Sequence, residues 1–298
     1  MIDVLCVGHA AFDITMTAAH HPGPDEKMLA DALLLGGGGP AANAAVQVVR
    51  LGGRAAFCGY LGHDLFGEEH VAELSHEGVD TALLIRGGHA SPVSQILAKP
   101  DGSRSVVSFK GDTPWLPEDA VDMARIAALS PDVILLDGHE PLVSAPICTW
   151  ARNNAVPTVL DAGSLHRGTR ELASRVDYLV ASEKFARQWC AADDPGAWLD
   201  TLGNIAPNIV ITLGEHGLIW QKKGHKGTLP AYPVTALDST GAGDAFHGAF
   251  ALGVARGMDW PAILAFASAA GALACTRLGA RAALANRQEV ATLLAEKS

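Results

Sequence analysis

Short apolar runs without charged residues alternate along the chain with longer, alanine-rich segments whose apolar positions recur at helical spacing. The runs predict strands at 4–7, 55–58, 133–136, 158–160, 178–180 and 209–213. The segments between them predict helices at 41–51, 67–76, 120–129 and 142–153. A strand that is apolar throughout is buried on both faces, as in parallel sheets covered by helices. The chain is therefore predicted to be an α/β protein with a mostly parallel central sheet and helices on both faces.

Two segments, about 13–35 and 93–110, break this alternation, because each has two short apolar stretches around residues typical of turns. In the second, Pro100-Asp101-Gly102 predicts a hairpin. We expect the two segments to form a small antiparallel β lid, separate from the main sheet. After Gly243 the composition predicts helices at 245–256, 261–274 and 287–297.

Composition limits the class of protein. A chain of 298 residues with 49% hydrophobic residues is long enough for one large α/β domain over 1–298. The net charge of −10, without a basic run, disfavours nucleic acid as a partner. Five scattered cysteines without a Cys-x-x-Cys pair indicate neither a disulfide framework nor a zinc site. The apolar start is too short for a signal peptide, and no stretch reaches the roughly 20 apolar residues of a membrane span. A cytoplasmic protein without a membrane partner is expected.

The stretch Asp238-Ser-Thr-Gly-Ala-Gly-Asp244 carries the most chemical information. Gly241, Ala242 and Gly243 lead into a predicted helix, so unpaired N–H groups lie at the positive end of a helix dipole, where anions bind. Asp244 follows at once and is placed to take a proton from a hydroxyl that attacks a bound phosphoryl group. A helix-capping role for Asp244 would not require the preceding Gly-Ala-Gly. The stretch predicts phosphoryl transfer to a hydroxyl.

Three further motifs accompany it, in the order Gly-Gly-Gly-Gly-Pro-Ala-Ala-Asn at 36–43, Gly-His-Asp-Leu-Phe-Gly at 62–67 and Thr-Leu-Gly-Glu-His-Gly at 212–217. With 238–244 they resemble the signatures of the ribokinase-like, or PfkB, carbohydrate kinases. The resemblance extends from about Val4 to Arg281. Details near Phe246 and Phe266 are similar to the ketose-acting branch that includes the sulfofructose kinases.

The resemblance implies an ATP- and Mg²⁺-dependent kinase of the primary hydroxyl of a ketohexose or pentose. Asp244 would be the base, and residues 241–243 the anion hole. The sugar would be bound by Asp13, Gly37, Gly38 and Asn43. The nucleotide would lie against the segment that contains Ser182, Thr212, Gly214 and Gly217. From the residues alone, Asp13 could instead be a turn residue and Asn43 an ordinary first-turn residue of a helix.

Three acidic or imidazole side chains, Asp137, His139 and Glu140, follow the strand at 133–136 and could reach the far end of the sugar. Acidic groups there would favour a neutral polyol over an anionic sugar. His63 and His70 have no third ligand in register, so a solvated helix face is preferred for them over a metal site.

Two features depart from the resembled family. Asp238, with backbone carbonyls of residues that include Thr240 and Gly279, would bind a monovalent cation such as K⁺. Ala283 stands where relatives often have a serine, so the need for K⁺ is left open. After the strand at 178–180, relatives commonly show Asn-x-x-Glu, which helps to organise Mg²⁺. Here Ser182 and Phe185 replace the Asn and the Glu, and only Glu183 remains.

Alternatives to a sugar kinase are a nucleoside kinase of the same family and a sugar- or nucleotide-binding protein without turnover. Arg277 and Arg281 are taken as surface charges by default. Because the lid would expose apolar residues such as Leu33, Leu35, Ile96, Val106 and Phe109, a homodimer joined through the lids is expected.

Overall fold

The computed structural model describes residues 1–99 and 102–296. The strands are β1 Ile2–Val7, β2 Ala11–Thr17, β3 Ala32–Gly38, β4 Ala55–Cys58, β5 Tyr60–Gly62, β6 Ile85–Gly87, β7 Val93–Ala98, β8 Arg104–Phe109, β9 Pro131–Leu136, β10 Thr158–Ala162, β11 Tyr178–Ser182, β12 Asn208–Thr212, β13 Leu218–Lys222 and β14 His225–Leu229. The helices are α1 Pro40–Arg50, α2 Leu65–His76, α3 Met123–Leu129, α4 Pro141–Asn153, α5 Arg167–Leu172, α6 Glu183–Cys190, α7 Pro195–Gly203, α8 Ala242–Ala255, α9 Trp260–Ala274 and α10 Arg287–Ala295. A 3₁₀ turn spans Gly214–His216.

Eight strands form the main sheet, in the order β14-β13-β12-β11-β10-β9-β1-β4. The six strands from β12 to β4 pair in parallel, whereas β13 and β14 extend the sheet as an antiparallel edge. Successive residues face opposite sides of a strand, so Val4 packs in the core beneath α1, α8 and α9, and Leu5 in the core beneath α4 to α7. Helices cover both faces because both faces are apolar, as predicted.

The small second sheet is also confirmed, with the order β3-β2-β7-β8. Two antiparallel pairs, β2 with β3 and β7 with β8, are joined by a parallel pairing of β2 with β7. The strands of the predicted 93–110 hairpin therefore pair as expected, while the turn residues Pro100 and Asp101 lie outside the described residues.

The pairing register assigns the two faces of the lid. Directly paired residues share a face, and one such row consists of Leu35, Ile14, Gln95 and Val107. Leu35 and Val107 are 56% and 72% exposed, so this row lies on the outer face. Ile96, which was expected to be partly exposed, belongs to the opposite, inner face and is buried.

Several elements were not predicted, including the small parallel pair β5–β6, the strand β13 and the helices α5 to α7. The helix expected at 120–129 begins only at Met123, where Asp122 caps it through the N–H of Ala124. The last helix ends at Ala295, and Lys297 lies outside the described residues. None of the described helices combines the length and apolar character that crossing a bilayer requires.

Candidate active site

The Gly241 turn opens helix α8 in the way that an anion site requires. Gly241 has φ +79°, and a Cβ on it would lie 2.9 Å from the Cα of Ala280, so both conformation and space demand glycine. Gly243 is exposed, its surroundings are open, and its N–H in the first helical turn has no partner within the helix. The N–H of Ala242 instead donates to the carbonyl of Ser239 at 3.3 Å. Of the two N–H groups expected to form the anion hole, that of Gly243 is therefore more available than that of Ala242.

Asp244, in the same turn, is paired with Asn43 from helix α1. The Asn43 Nδ2 donates to Asp244 Oδ2 at 2.7 Å, across 201 positions of sequence. Burial raises the pKa of the Asp244 carboxyl, while the bond from Asn43 and the nearby His247 oppose that shift. The two residues thus form one unit where helices α1 and α8 meet.

Asp13 lies beside this unit on lid strand β2 and is nearly buried. Burial, reinforced by the charge of Asp244, raises the pKa of Asp13 to about 7. Gly38 leaves room for it, because a Cβ on Gly38 would lie 2.1 Å from Asp13 Oδ2. Gly37 likewise makes room for the His70 ring, and its N–H donates to Glu73 Oε2 at 2.5 Å. Gly37 and Gly38 therefore leave room for the side chains of His70 and Asp13, respectively.

A cleft of about 370 Å³ separates the lid from the main body. Its wall includes Asp13, Asn43, Asp244, His139 and the unpredicted His9. The rings of His9 and His139 are 5.1 Å apart. Burial and the neighbouring positive groups lower the pKa of His9 well below its ordinary value, so this ring is neutral. The position of His9, directly after strand β1, could have indicated it, because polar side chains at the carboxyl ends of parallel strands share one edge.

Asp137 does not face the cleft. Its carboxylate accepts hydrogen bonds from the backbone N–H groups of His9 at 2.7 Å, His139 at 2.8 Å and Ala41 at 3.2 Å. Glu140 is also buried, and its Oε2 accepts from the N–H of Leu116. The expectation of acidic groups at the far end of the sugar was therefore wrong for both residues, and only His139 lines the cleft.

The residues expected near the nucleotide lie at the carboxyl ends of two adjacent strands. Ser182 and Thr212 are direct partners in the pairing of β11 with β12. Gly214, with φ +60°, has open space at its Cβ position. Gly217, with φ +85°, packs closely against strand β14, where a Cβ would lie 2.1 Å from the carbonyl oxygen of Leu229.

Asp238 is buried, and its carboxylate is held by its own loop. Oδ1 accepts from the N–H and the hydroxyl of Thr240, at 2.9 and 2.6 Å, and Oδ2 accepts from the N–H of Gly279 at 2.8 Å. The carbonyl of Gly279 accepts from the N–H of Ala283 at 3.1 Å. Among residues 1–99 and 102–296, no three or more His, Cys, Asp or Glu side chains cluster in a way that would hold a metal ion.

The comparison with known families decides the identity of this arrangement, because the pattern of the pfkB family carbohydrate kinases matches residues 1–287. The chain belongs to this family. It is 26% identical over 300 residues to the ribokinase of Bacillus subtilis, covering 99% of this chain and all of the relative. It is therefore a sugar kinase by family.

Solved structures agree with this assignment. A crystal structure of an Agrobacterium tumefaciens protein has a TM-score of 0.92 at 30% identity and covers 99% of this kinase and 98% of its own chain. The ATP-bound fructokinase of Xylella fastidiosa has a TM-score of 0.82 at 25% identity, with coverage of 99% and 98%. The ribokinase-like fold predicted from the sequence is thus confirmed.

Ser182 has a structural role in this kinase. Its hydroxyl accepts from the N–H of Phe185 at 3.1 Å as the cap of α6, and donates to the carbonyl of Gly163 at 2.8 Å. Phe185 is fully buried, and Glu183 pairs with Arg187 on the surface. The side chains at 182–185 consequently do not fit a Mg²⁺ site.

A buried pair that sequence reasoning missed lies beneath the Gly241 turn of the kinase. His247 Nδ1 is 2.6 Å from the carbonyl oxygen of Gly243 and 3.3 Å from Asp161 Oδ2, and its Nε2 is 3.1 Å from the carbonyl oxygen of Val180. Both ring nitrogens face oxygen atoms, so the ring is held from both sides. The first turn of α8 is thereby fixed to β10 and β11.

Two sequence expectations about charged residues near the cleft were wrong. Arg281 is 4% exposed, so it is a core residue; Arg277, in contrast, pairs with Glu289 at the surface. His70 is fully buried, and its Nε2 lies 3.1 Å from Arg281 Nη2. The sequence around His70 did not indicate its burial, because its partner Arg281 is 211 positions away.

Proposed function

We propose that this kinase transfers the γ-phosphoryl group of ATP to the primary hydroxyl of a small sugar, a ketohexose or pentose, with Asp244 as general base. One observation carries the proposal: Asp244, held by Asn43 at 2.7 Å, stands one residue after the free N–H of Gly243, at the floor of a sugar-sized cleft. A base and an anion donor on one helical turn bring the hydroxyl and the phosphoryl group together.

In the reaction, the sugar O–H bond breaks as Asp244 takes the proton on the oxygen that Asn43 leaves free. The sugar oxygen forms a bond to the γ-phosphorus, and the bond from that phosphorus to the bridging oxygen of ADP breaks with its electron pair. Helix α8 stabilises the developing negative charge through its first-turn N–H groups and its dipole. Lid residue Arg104, which donates to the Ser239 hydroxyl at 2.5 Å, adds positive charge on the open side.

For the sugar, we assign Asp13, Asn43 and His139 as ligands, since all three line the cleft beside Asp244. Gly37 and Gly38 support this site from behind. For ATP, we assign the turn with Thr212, Gly214 and Gly217, because its open Gly214 lies at the carboxyl edge of the sheet. The ATP bound to the Xylella fastidiosa fructokinase supports the choice of nucleotide.

Segment 182–185 supplies no free carboxylate, so no step is assigned to Mg²⁺ here. The loop of Asp238, Thr240 and Gly279 is the place where K⁺ would act. Because three donors already hold the Asp238 carboxylate and Ala283 has no hydroxyl, we expect at most moderate activation by K⁺ over Na⁺.

We further propose a homodimer that covers the outer face of the lid, and a location in the cytoplasm. The five cysteines are free, as is usual for a reducing compartment.

The test is ADP release from ATP with fructose, tagatose, ribose and adenosine, ranked by kcat/KM, for the wild type and Asp244→Asn. We expect a sugar to lead the ranking and Asp244→Asn to lower kcat by about a hundredfold or more with little change in ATP binding. A variant within tenfold of wild type would remove Asp244 from the mechanism. Adenosine in first place would indicate a nucleoside kinase, and ATP binding without turnover on any acceptor would indicate a sugar- or nucleotide-binding protein.

A further inference from the structure

Arg281 has an unusual place for an arginine, in the protein interior against helices α1 and α2. Its Nε donates to Asn43 Oδ1 on α1 at 3.0 Å. On α2, its Nη2 donates to His70 Nε2 at 3.1 Å, and its Nη1 lies 3.5 Å from Glu73 Oε1. Burying a charge is costly unless partners compensate for it, so a guanidinium at this position needs a reason beyond packing.

The chain from Arg281 continues directly to the base. Asn43 accepts from Arg281 through its amide oxygen and donates to Asp244 through its amide nitrogen. A flipped amide would lose both bonds at once, because its NH₂ would face the guanidinium and its oxygen the carboxylate. Arg281 therefore selects one of the two orientations of the Asn43 amide, the one that holds Asp244.

The backbone of Arg281 is itself fastened to α1. Gln47 Nε2 donates to the carbonyl of Ala285 at 2.8 Å, and Arg50 Nη1 donates to the carbonyls of Arg281 and Leu284 at 3.0 and 2.9 Å. Asn43, Gln47 and Arg50 occupy positions i, i+4 and i+7, so they form one polar stripe on an otherwise apolar helix. This stripe holds segment 281–285 in register with Asn43.

Several carboxylates surround Arg281. Burial lowers the pKa of the Arg281 guanidinium, while the carboxylates of Glu73, Glu77 and Asp13 oppose that shift. Glu73 also accepts from the N–H of Gly37, so it connects Arg281 to the glycine turn next to Asp13. The neighbouring carboxylates thus partly balance the positive charge of Arg281.

We propose that Arg281 is a positioning residue of the phosphoryl transfer, which acts through Asn43 to hold Asp244 aligned with the sugar hydroxyl. The inference rests on the proposed function, since it requires Asp244 to be the base. It assigns no contact between Arg281 and the sugar or the nucleotide.

The experiment is a double-mutant cycle of Arg281→Met and Asn43→Ala, read as kcat and its pH profile on the best sugar. We expect Arg281→Met to lower kcat by about tenfold or more, as for a lost hydrogen bond to a charged group, and to move the acid limb of the profile to higher pH. In the Asn43→Ala background, Arg281→Met should change kcat by less than about threefold, because its route to Asp244 is already broken.

Controls separate this role from a structural one. Arg281→Lys keeps the charge without the planar fork and should fold, yet show the same displaced acid limb. The exposed Arg287→Met should match the wild type, and thermal unfolding and ATP affinity report on the fold of each variant. Wild-type kcat and pH profile in Arg281→Lys and Arg281→Met, or additive losses in the cycle, would overturn the inference. An unaffected Asp244→Asn would instead overturn the proposed function.

Discussion

Gly248 lies so close to Ala44 that a Cβ on Gly248 would come within 2.6 Å of the Ala44 carbonyl oxygen. Gly248 is one helical turn after Asp244, and Ala44 is the residue after Asn43. This contact therefore sets the approach of helices α1 and α8 next to the Asn43–Asp244 hydrogen bond. Only a residue without a side chain permits it.

Gly248→Ala should accordingly separate the two helices and displace Asp244, the proposed base. We expect a loss of about 1–3 kcal/mol in the free energy of unfolding from overpacking and a fall in kcat of about 10- to 100-fold from misplacement of the base. Gly253→Ala on the same helix is the control, because its Cβ would meet only side-chain atoms, of Ile263 at 3.1 Å and of Met258 at 3.5 Å. Chemical denaturation and steady-state kinetics of both variants test the prediction, and equal kcat values would contradict it.

Sugar binding should release a proton through Asp13. In the free protein its pKa is raised to about 7, and sugar hydroxyls that donate to the carboxylate favour the charged form. Affinity should therefore rise as pH increases from about 6 to about 8. Calorimetry in buffers of different ionisation enthalpy measures the proton directly, and Asp13→Asn should abolish the release. A binding enthalpy that is the same in every buffer would show that Asp13 does not meet the sugar.

The same raised pKa has a consequence for the free protein's stability. Asp13 binds a proton more tightly when folded than when unfolded, where its pKa is near 3.8. Its contribution is thus fully present below the unfolded pKa and is lost as pH rises through about 7. Asp13→Asn should flatten this part of the curve of unfolding free energy against pH, and a bound sugar should do the same.

The Asp161–His247 pair should be strongly coupled. Both side chains are buried, and removal of one partner breaks their contact at 3.3 Å in the protein interior, so Asp161→Asn and His247→Asn should each cost roughly 3 kcal/mol in the free energy of unfolding. The double variant, with two neutral amides, should recover much of that loss. Urea unfolding of the four proteins gives the coupling energy. Additive losses would mean that the two residues act separately.

The outer lid face should carry the dimer contact. Val107→Lys introduces a charge into the outer row that contains Leu35 and should produce monomers in light scattering. Val106→Lys is the matched variant, because Val106 lines the cleft; it should weaken sugar binding and leave the dimer intact. A monomeric wild type would refute the dimer, and the lid would then cover only its own site.

The elements of the main sheet could be predicted because their signal is local. Strand β4 has the predicted bounds, because a short apolar run between turn residues is typical of a buried strand. The edge strand β14 contains Lys226 and is partly exposed, so hydrophobic pattern alone marked it only as a hairpin tip. Edge strands need not be apolar on both faces, and their residues are correspondingly harder to recognise.

The sequence by itself determined the family, the ribokinase-like fold and the glycine turn before Asp244, because glycines at a helix start act through their own backbone. The partners of buried polar groups were decided only by the tertiary structure. Long stretches of chain separate the partners: 201 positions between Asn43 and Asp244, 211 between His70 and Arg281, and 86 between Asp161 and His247. A hydrogen bond is specified by distance and direction in space, and the spacing of residues along the chain carries neither until the helices have packed on the sheet.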